Sequence, residues 1–409
     1  MEKILHLGDH YISNFVPADY NYADEKKYNL DLYLDETIGA PRLLEGAPAS
    51  KMYGQYWYRS GINNSMVAEL KNIATEISSR VKYTHGDVWL DIACNDGTMF
   101  DFIPSEFSKI GIDPCDDSYL ADSRGRADCV VQDFFTEKAY RDSKLGHFDC
   151  KVITSIAMFY DLEDPHTFIA DIKKVLDRNG VWVLQLSYTP LMVEQLAFDN
   201  ICHEHIYYHS LTSIRDLVEQ HQMEVVDATL NDTNGGSVRI YVRNKTANKD
   251  LFGTQPIRDV CDFRVKALLA YERTNYDVMN LAFWDTYQDR IDALKTQTVN
   301  FIKNVVSEGK TVMGYGASTK GNTLLQYFGL DHTHITAMVE RSPYKFGLHT
   351  IGTNIPIISE IDMRKAKPDY LLVLPWHFIS SFVERESEFL DGGGRFIVPC
   401  PKFKIIGND

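Results

Sequence analysis

Apolar positions along the chain follow two different periods, and the change from one to the other outlines the architecture. Met66, Val67, Leu70, Ile73 and Ile77 recur at helical spacing, which predicts an amphipathic helix over 64–81 that packs on the adjoining domain. Short, nearly continuous apolar runs then take over at 88–94, 109–114, 129–133, 150–156 and 181–187, with helical stretches such as 166–176 between them. Runs of that kind predict strands of a parallel sheet covered by helices on both faces. Segments 223–230 and 237–243, joined through Asn234-Gly235-Gly236, predict an antiparallel hairpin that closes the sheet. Residues 257–307 contain neither Gly nor Pro and read as helical, a bridge to a region where the alternation restarts at 311–316, 335–340, 370–374 and 395–399. The first fifty residues, rich in Tyr, Asp and Leu, lack a long periodic segment. The expected organisation is a small module over 1–52, an α/β domain over 53–250, and a helical bridge with a second, smaller α/β unit over 251–409.

Composition narrows the partners. A chain of 409 residues is too long for one compact core. Lys and Arg total 42 against 57 Asp and Glu, a formal charge of −15, and no basic tract interrupts the acidic background. Backbone binding to nucleic acid rests on clustered cations, so nucleic acid is not an expected partner. No apolar run reaches the length of a membrane span, and Met1-Glu2-Lys3-Ile4-Leu5-His6 lacks the basic and apolar regions of a signal peptide. Seven scattered cysteines fit reduced thiols, hence a cytoplasmic enzyme acting on a small molecule. Nothing in the pattern specifies an oligomeric state.

The first strand of the central domain ends in Asp91-Ile92-Ala93-Cys94-Asn95-Asp96-Gly97-Thr98 and opens a helix. Small residues at Ala93 and Gly97 let the backbone approach a ligand, and Asn95 lies in the turn. The second strand ends in Gly111-Ile112-Asp113-Pro114, an acid placed where ribose hydroxyls need an acceptor, and the third in Gln132-Asp133, suited to an adenine amine. Taken singly, Gly97 is a turn residue and Asp113 a helix cap; three consecutive strand ends carrying suitable groups point to a nucleoside cofactor. The Gly-x-Gly-x-x-Gly of dinucleotide sites is absent, which favours S-adenosylmethionine, with Asp91, Ala93, Asn95, Gly97, Asp113 and Asp133 as its expected contacts.

After the fifth strand, His203-Glu204-His205-Ile206-Tyr207-Tyr208-His209 concentrates ionisable groups near the carboxyl ends of the strands. A histidine there has the acidity to remove a proton next to a ketone, and a neighbouring Glu can fix its tautomer. The alternatives are a polar helix start with satisfied histidines, or two metal ligands at His205 and His209; no third ligand is evident, and no metal is expected. In the C-terminal unit Gly314-x-Gly316-x-x-x-x-Gly321 follows a strand, with Lys320 and Asn322 at the next helix start and Glu340 ending the following strand. That arrangement suits either a nucleotide diphosphate or simple packing. The aromatic cluster Tyr53, Tyr56, Trp57 and Tyr58 reads as core or, with Arg59 in its midst, as a lid facing substrate.

In this order the signposts resemble a known family, the S-adenosylmethionine-dependent C-methyltransferases acting on nucleotide-linked sugars in bacteria. They are Tyr56-Trp57-Tyr58-Arg59-Ser60-Gly61, the cofactor loop, His203-Glu204-His205, Gly314-Tyr315-Gly316-Ala317-Ser318-Thr319-Lys320-Gly321, Gly352-Thr353-Asn354-Ile355-Pro356-Ile357 and Leu374-Pro375-Trp376-His377. The resemblance implies a central class I methyltransferase domain with a Rossmann-like fold, a small N-terminal module and a second Rossmann-like domain at the C-terminus. It also implies a nucleotide diphosphate keto-deoxysugar between the middle and last domains. His205 would be the base, with His203 and Glu204 in the same catalytic stretch and Tyr58 facing the substrate. Tyr56, Arg59, Cys202, Gly316, Lys320, Asn322 and Glu340 would contact the substrate. Two departures stand out. No cysteine precedes Cys94, so the family's N-terminal zinc module is expected here without zinc. Cys202 occupies the place of a tyrosine in the sugar enzymes. O-methylation of a sugar or other small phosphorylated metabolite, and cofactor binding without catalysis, are the competing functions.

Overall fold

The computed structural model describes residues 1–23, 25–48, 59–248 and 253–407. The expected contacts Tyr56 and Tyr58, with Tyr53 and Trp57, lie outside the described residues. Six short strands form the N-terminal module: β1 (Glu2–Leu5), β2 (Asp9–Tyr11), β3 (Phe15–Val16), β4 (Lys27–Asn29), β5 (Leu32–Asp35) and β6 (Ala40–Leu43). The helix Asn64–Arg80 comes next, capped by the Asn63 side chain, and buries Met66, Leu70, Ile73, Ala74 and Ile77 as its spacing requires.

The central sheet has seven strands: β7 (Val88–Ile92), β8 (Ser108–Ile112), β9 (Cys129–Val131), β10 (Cys150–Ile156), β11 (Leu176–Ser187), β12 (Met223–Asn231) and β13 (Ser237–Asn244). Their spatial order is β12-β13-β11-β10-β7-β8-β9, with β7 to β11 parallel and β13 antiparallel to both neighbours. Every residue of β7 is buried, which is why its apolar run shows no alternation. The chain order reverses between β7 and β10, and at such a reversal the loops from the two strands diverge and leave a crevice.

The C-terminal domain holds β14 (Val312–Tyr315), β15 (Met338–Glu340), β16 (His349–Thr350), β17 (Ile357–Ser359), β18 (Tyr370–Val373), β19 (Arg395–Val398) and β20 (Lys404–Ile406). Its six-stranded sheet runs β17-β15-β14-β18-β19-β20, parallel except for β20, a second Rossmann-like arrangement. Strands β17 and β20, three residues each, are not among the predicted runs.

The expected helical bridge is two helices with different allegiances. Gln255–Asn275 packs Val265, Leu268 and Leu269 on the central core, whereas Leu281–Ser307 buries Trp284, Tyr287, Ile291, Leu294, Ile302 and Val305 in the core of the C-terminal domain. Leu5, Leu30 and Leu32 of the N-terminal module enter that same C-terminal core, and β3 pairs with β16 through Phe15 and Thr350. The module is therefore a clamp that joins first and last domains rather than an independent unit. Among the described residues no helix is long and apolar enough to cross a membrane.

Candidate active site

At the β7/β10 crevice lies a cavity of about 490 Å³, walled by the ends of three adjacent strands at Asp91–Asn95, Ile112–Cys115 and Ile156–Met158. The turn after β7 is wound so that backbone faces the cavity: Ala93, Asn95 and Gly97 all have positive φ, at 59°, 51° and 72°. A Cβ on Gly97 would stand 2.8 Å from the Ser123 Cα, so only glycine closes this turn. Asp113 fixes the shape from the next strand by accepting the amides of Asn95 and Cys115, both at 2.8 Å. Asp91 is buried, accepts the Thr154 hydroxyl at 2.6 Å, and burial pushes its carboxyl up to about 7.

Asp91, Asp113, Asp161 and Glu163 line this cavity, and no Lys or Arg side chain does among the described residues. A dinucleotide would have to place its diphosphate among four carboxyls with no cation of the described residues to offset its charge. S-adenosylmethionine carries a sulfonium and an ammonium, which such a lining favours, and Phe134, Phe135 and Phe168 supply flat apolar wall for an adenine. Asp161 Oδ1 is buried without a hydrogen-bond partner among the described residues, a position suited to a ligand donor. The residues therefore fit this cofactor.

A second cluster adjoins the first. The Tyr160 carbonyl accepts the amides of Ile206 and Tyr207 at 2.8 and 2.9 Å, and the Ile206 carbonyl accepts the Leu43 amide of β6 at 2.9 Å. The His-Glu-His stretch is thus a turn at His203–Glu204 that leads into a segment clamped between the loop after β10 and the N-terminal module, with Ile206 on the cofactor wall. His205 is buried, its Nδ1 lies 2.7 Å from the Asn200 carbonyl, and Tyr160 packs on its ring. A carbonyl accepts only, so Nδ1 carries the proton and Nε2 keeps its lone pair. Burial, then the Lys320 charge, lower the His205 pKa to about 3, which keeps the ring neutral. Burial raises Glu204 to about 7 against the opposing pull of Lys320, and burial followed by the Glu204 charge pushes Asp161 well above the carboxylate range. Lys320 reaches this cluster from the C-terminal domain and donates to Asn200 Oδ1. Cys202 is buried beside them, and burial raises its thiol.

Other expected site residues are held elsewhere. His203 turns to the Tyr28 carbonyl at 3.2 Å and serves the joint with the N-terminal module. Arg59 stacks on Tyr119 and pairs with Asp122 at 2.8 Å, binding the cofactor-side helix Asp117–Arg124. Asp133 is exposed and accepts its neighbouring Phe134 amide, so the two phenylalanines rather than this acid wall the cavity. Gly97 shapes the turn without lining the cavity. In the C-terminal unit, Gly316 is required because a Cβ would meet Pro375 at 2.4 Å, and Asn322 donates to the Asn14 carbonyl at 2.9 Å. Glu340 accepts the Arg341 and Ser342 amides and pairs with Lys345 at 3.2 Å. The glycine-rich turn there packs the domains together, and of its polar groups only Lys320 enters the cluster. His205 and His209 do not share a helical face, since the helix begins at Leu211. Among the described residues no group of three His, Cys, Asp or Glu side chains could hold a metal.

Two members of the cluster, Asp161 and Asn200, are absent from the residues expected on sequence grounds. Asp161 stands beyond β10 with no motif around it, and Asn200 acts through its backbone as much as its side chain, so neither carries a signal in the sequence.

Comparison with known proteins agrees with this geometry. Residues 64–228 match the family described as a methyltransferase domain, and residues 232–401 match the C-methyltransferase C-terminal domain. A curated relative, the C-methyltransferase NovU of Streptomyces niveus, is 28% identical over 357 residues, spanning 87% of this chain and 82% of that one. Solved structures with partial likeness include magnesium protoporphyrin IX methyltransferase from Synechocystis with bound S-adenosylhomocysteine. It is 11% identical, with a TM-score of 0.35, over 47% of this chain and 91% of that chain. A second is an S-adenosylmethionine-dependent methyltransferase from Clostridium acetobutylicum, 10% identical, with a TM-score of 0.34, over 44% of this chain and 92% of that chain. The acidic crevice at the strand reversal and the two consecutive domain matches lead to one conclusion: this chain is an S-adenosylmethionine-dependent methyltransferase, similar over most of its length to a C-methyltransferase.

Proposed function

We propose that the chain methylates a carbon next to the ketone of a nucleotide-activated sugar. The observation that carries this reading is the tautomer of His205: Nδ1–H is committed to the Asn200 carbonyl, which leaves a neutral Nε2 as acceptor one residue before Ile206 of the cofactor wall. Nε2 takes the α-proton, the C–H electron pair passes to the ketone as an enolate, and the carbon then forms its bond to the methyl. S-adenosylmethionine, when bound, would supply that methyl as an electrophile, with the neutral thioether as leaving group. A pKa near 3 makes His205 a weak base, so the enolate must be stabilised for the transfer to run. Seven free cysteines support a reducing compartment such as the cytoplasm.

The test is turnover of methyl-labelled cofactor with a panel of nucleoside diphosphate keto sugars, together with exchange of the α-proton in deuterated water when S-adenosylhomocysteine replaces the cofactor. Exchange in the wild type and its loss in His205→Ala are expected, at a cost of about 10²–10⁴ in rate. A product carrying its methyl on oxygen, formed without exchange, would establish the O-methyltransferase reading instead.

A further inference from the structure

An enolate needs a partner for its oxygen, and Cys202, in the position where a phenol was expected, cannot supply one: burial holds its thiol protonated and it is a weak donor. The cluster contains a different donor. Lys320 is the second residue of the helix Thr319–Phe328, whose start is set by Ser318 accepting the Gly321 amide. Its stem is half-buried, and Nζ donates to Asn200 Oδ1. The same Asn200 accepts His205 Nδ1–H through its carbonyl at 2.7 Å. One residue therefore fixes base and ammonium relative to each other across the domain boundary. An ammonium has three donors and one is used, so two remain for a ligand.

The surroundings argue against a phosphate at this position. Asp199, Glu204 and Asp161 are the neighbouring carboxyls, each raised by burial, and Asn322, which could share a diphosphate with Lys320, is occupied by Asn14. A multiply charged anion would be desolvated there against the single charge of Lys320. A ketone enters neutral, and when its proton moves to His205 the cluster gains one positive and one negative charge together. Its net charge does not change.

We infer that the Lys320 ammonium receives the ketone oxygen of the substrate and holds it as the enolate while His205 takes the α-proton. The inference rests on the C-methylation reading above. The bond broken is C–H, the proton ends on His205 Nε2, and the electron pair ends on the oxygen that Lys320 faces. After methyl transfer restores the ketone, Lys320 is again hydrogen-bonded to a neutral carbonyl and no further reactant is needed.

Thymidine diphosphate-linked 4-keto-6-deoxyglucose is the probe, with S-adenosylhomocysteine bound and deuterated water as solvent. Lys320→Met is expected to slow α-proton exchange by about 10²–10³, the usual cost of losing one oxyanion donor. Its affinities for S-adenosylhomocysteine and thymidine diphosphate should stay within about twofold of wild type, as those ligands do not use an oxyanion donor. Wild-type exchange rates in Lys320→Met would overturn the role of Lys320 alone. So would a loss of thymidine diphosphate affinity of about tenfold or more with exchange retained at saturation, since that is the signature of a phosphate contact. Absence of exchange in the wild type would overturn the C-methylation reading and the role of Lys320 with it. Calorimetry with S-adenosylhomocysteine reports folding. Should Lys320→Met not fold, Lys320→Gln, which keeps a polar contact to Asn200 and removes the charge, is read in the same way.

Discussion

His209 gives a quantitative test of how dry the His203–His209 stretch is. It is 1% exposed, its Nδ1 faces Ser213 Oγ at 3.2 Å, its ring lies against Tyr207 and Phe159, and Nε2 has no partner among the described residues. Burial alone lowers its pKa from 6.5 to about 3. Its folded pKa is below its unfolded one, so its contribution to stability is fully present above pH 6.5 and is lost as pH falls toward 3. Between pH 7 and pH 5 the unfolded chain takes up nearly one proton at this site that the folded protein refuses, a loss of about 2 kcal/mol. Glu204 and Asp91, both raised to about 7, act in the opposite sense over the same window, so the total pH dependence does not isolate His209. The difference between wild type and His209→Gln does. Glutamine keeps a donor and acceptor near Ser213 and does not titrate. The destabilisation caused by His209→Gln in urea unfolding should therefore shrink by about 2 kcal/mol on going from pH 7 to pH 5. An equal penalty at both pH values would refute the picture of a neutral histidine in a dry pocket.

Gly97→Val should lower stability by about 2–5 kcal/mol, the sum of left-handed strain and overpacking against Ser123, and abolish S-adenosylhomocysteine binding by calorimetry; unchanged affinity would contradict the turn geometry. Asp113→Ala removes the acceptor of two backbone amides and should weaken the same ligand by at least tenfold with the fold retained by circular dichroism. Glu204, with its pKa raised from 4.5 to about 7, destabilises the folded protein as pH rises through that window; Glu204→Gln should flatten stability there and remove a break near pH 7 from the kcat/KM profile. Elemental analysis of the purified protein should find no stoichiometric zinc, since the N-terminal module contains no cysteine.

What the sequence determined by itself is the part of the protein governed by local rules. A buried parallel strand must be apolar throughout, so β7, β10 and β11 were visible as runs, and a turn that approaches a ligand must be small, so Ala93 and Gly97 marked the cofactor loop. The helix Asn64–Arg80 and the β12–β13 hairpin were legible for the same reason: period and turn chemistry reside in neighbouring residues. Partnerships across domains were not legible. Lys320 and Glu340 both lie near strand ends of the C-terminal unit, yet one reaches Asn200 and the other closes on Lys345. His203 and His205 are two residues apart, yet one meets the Tyr28 carbonyl and the other the Asn200 carbonyl. A turn at His203–Glu204 sends the two histidines to different partners, and which side faces the cofactor depends on where β6 and the loop after β10 grip the segment. The contacts of Lys320 with Asn200 and of His203 with Tyr28 join residues more than a hundred positions apart, and only the packed tertiary structure decides them.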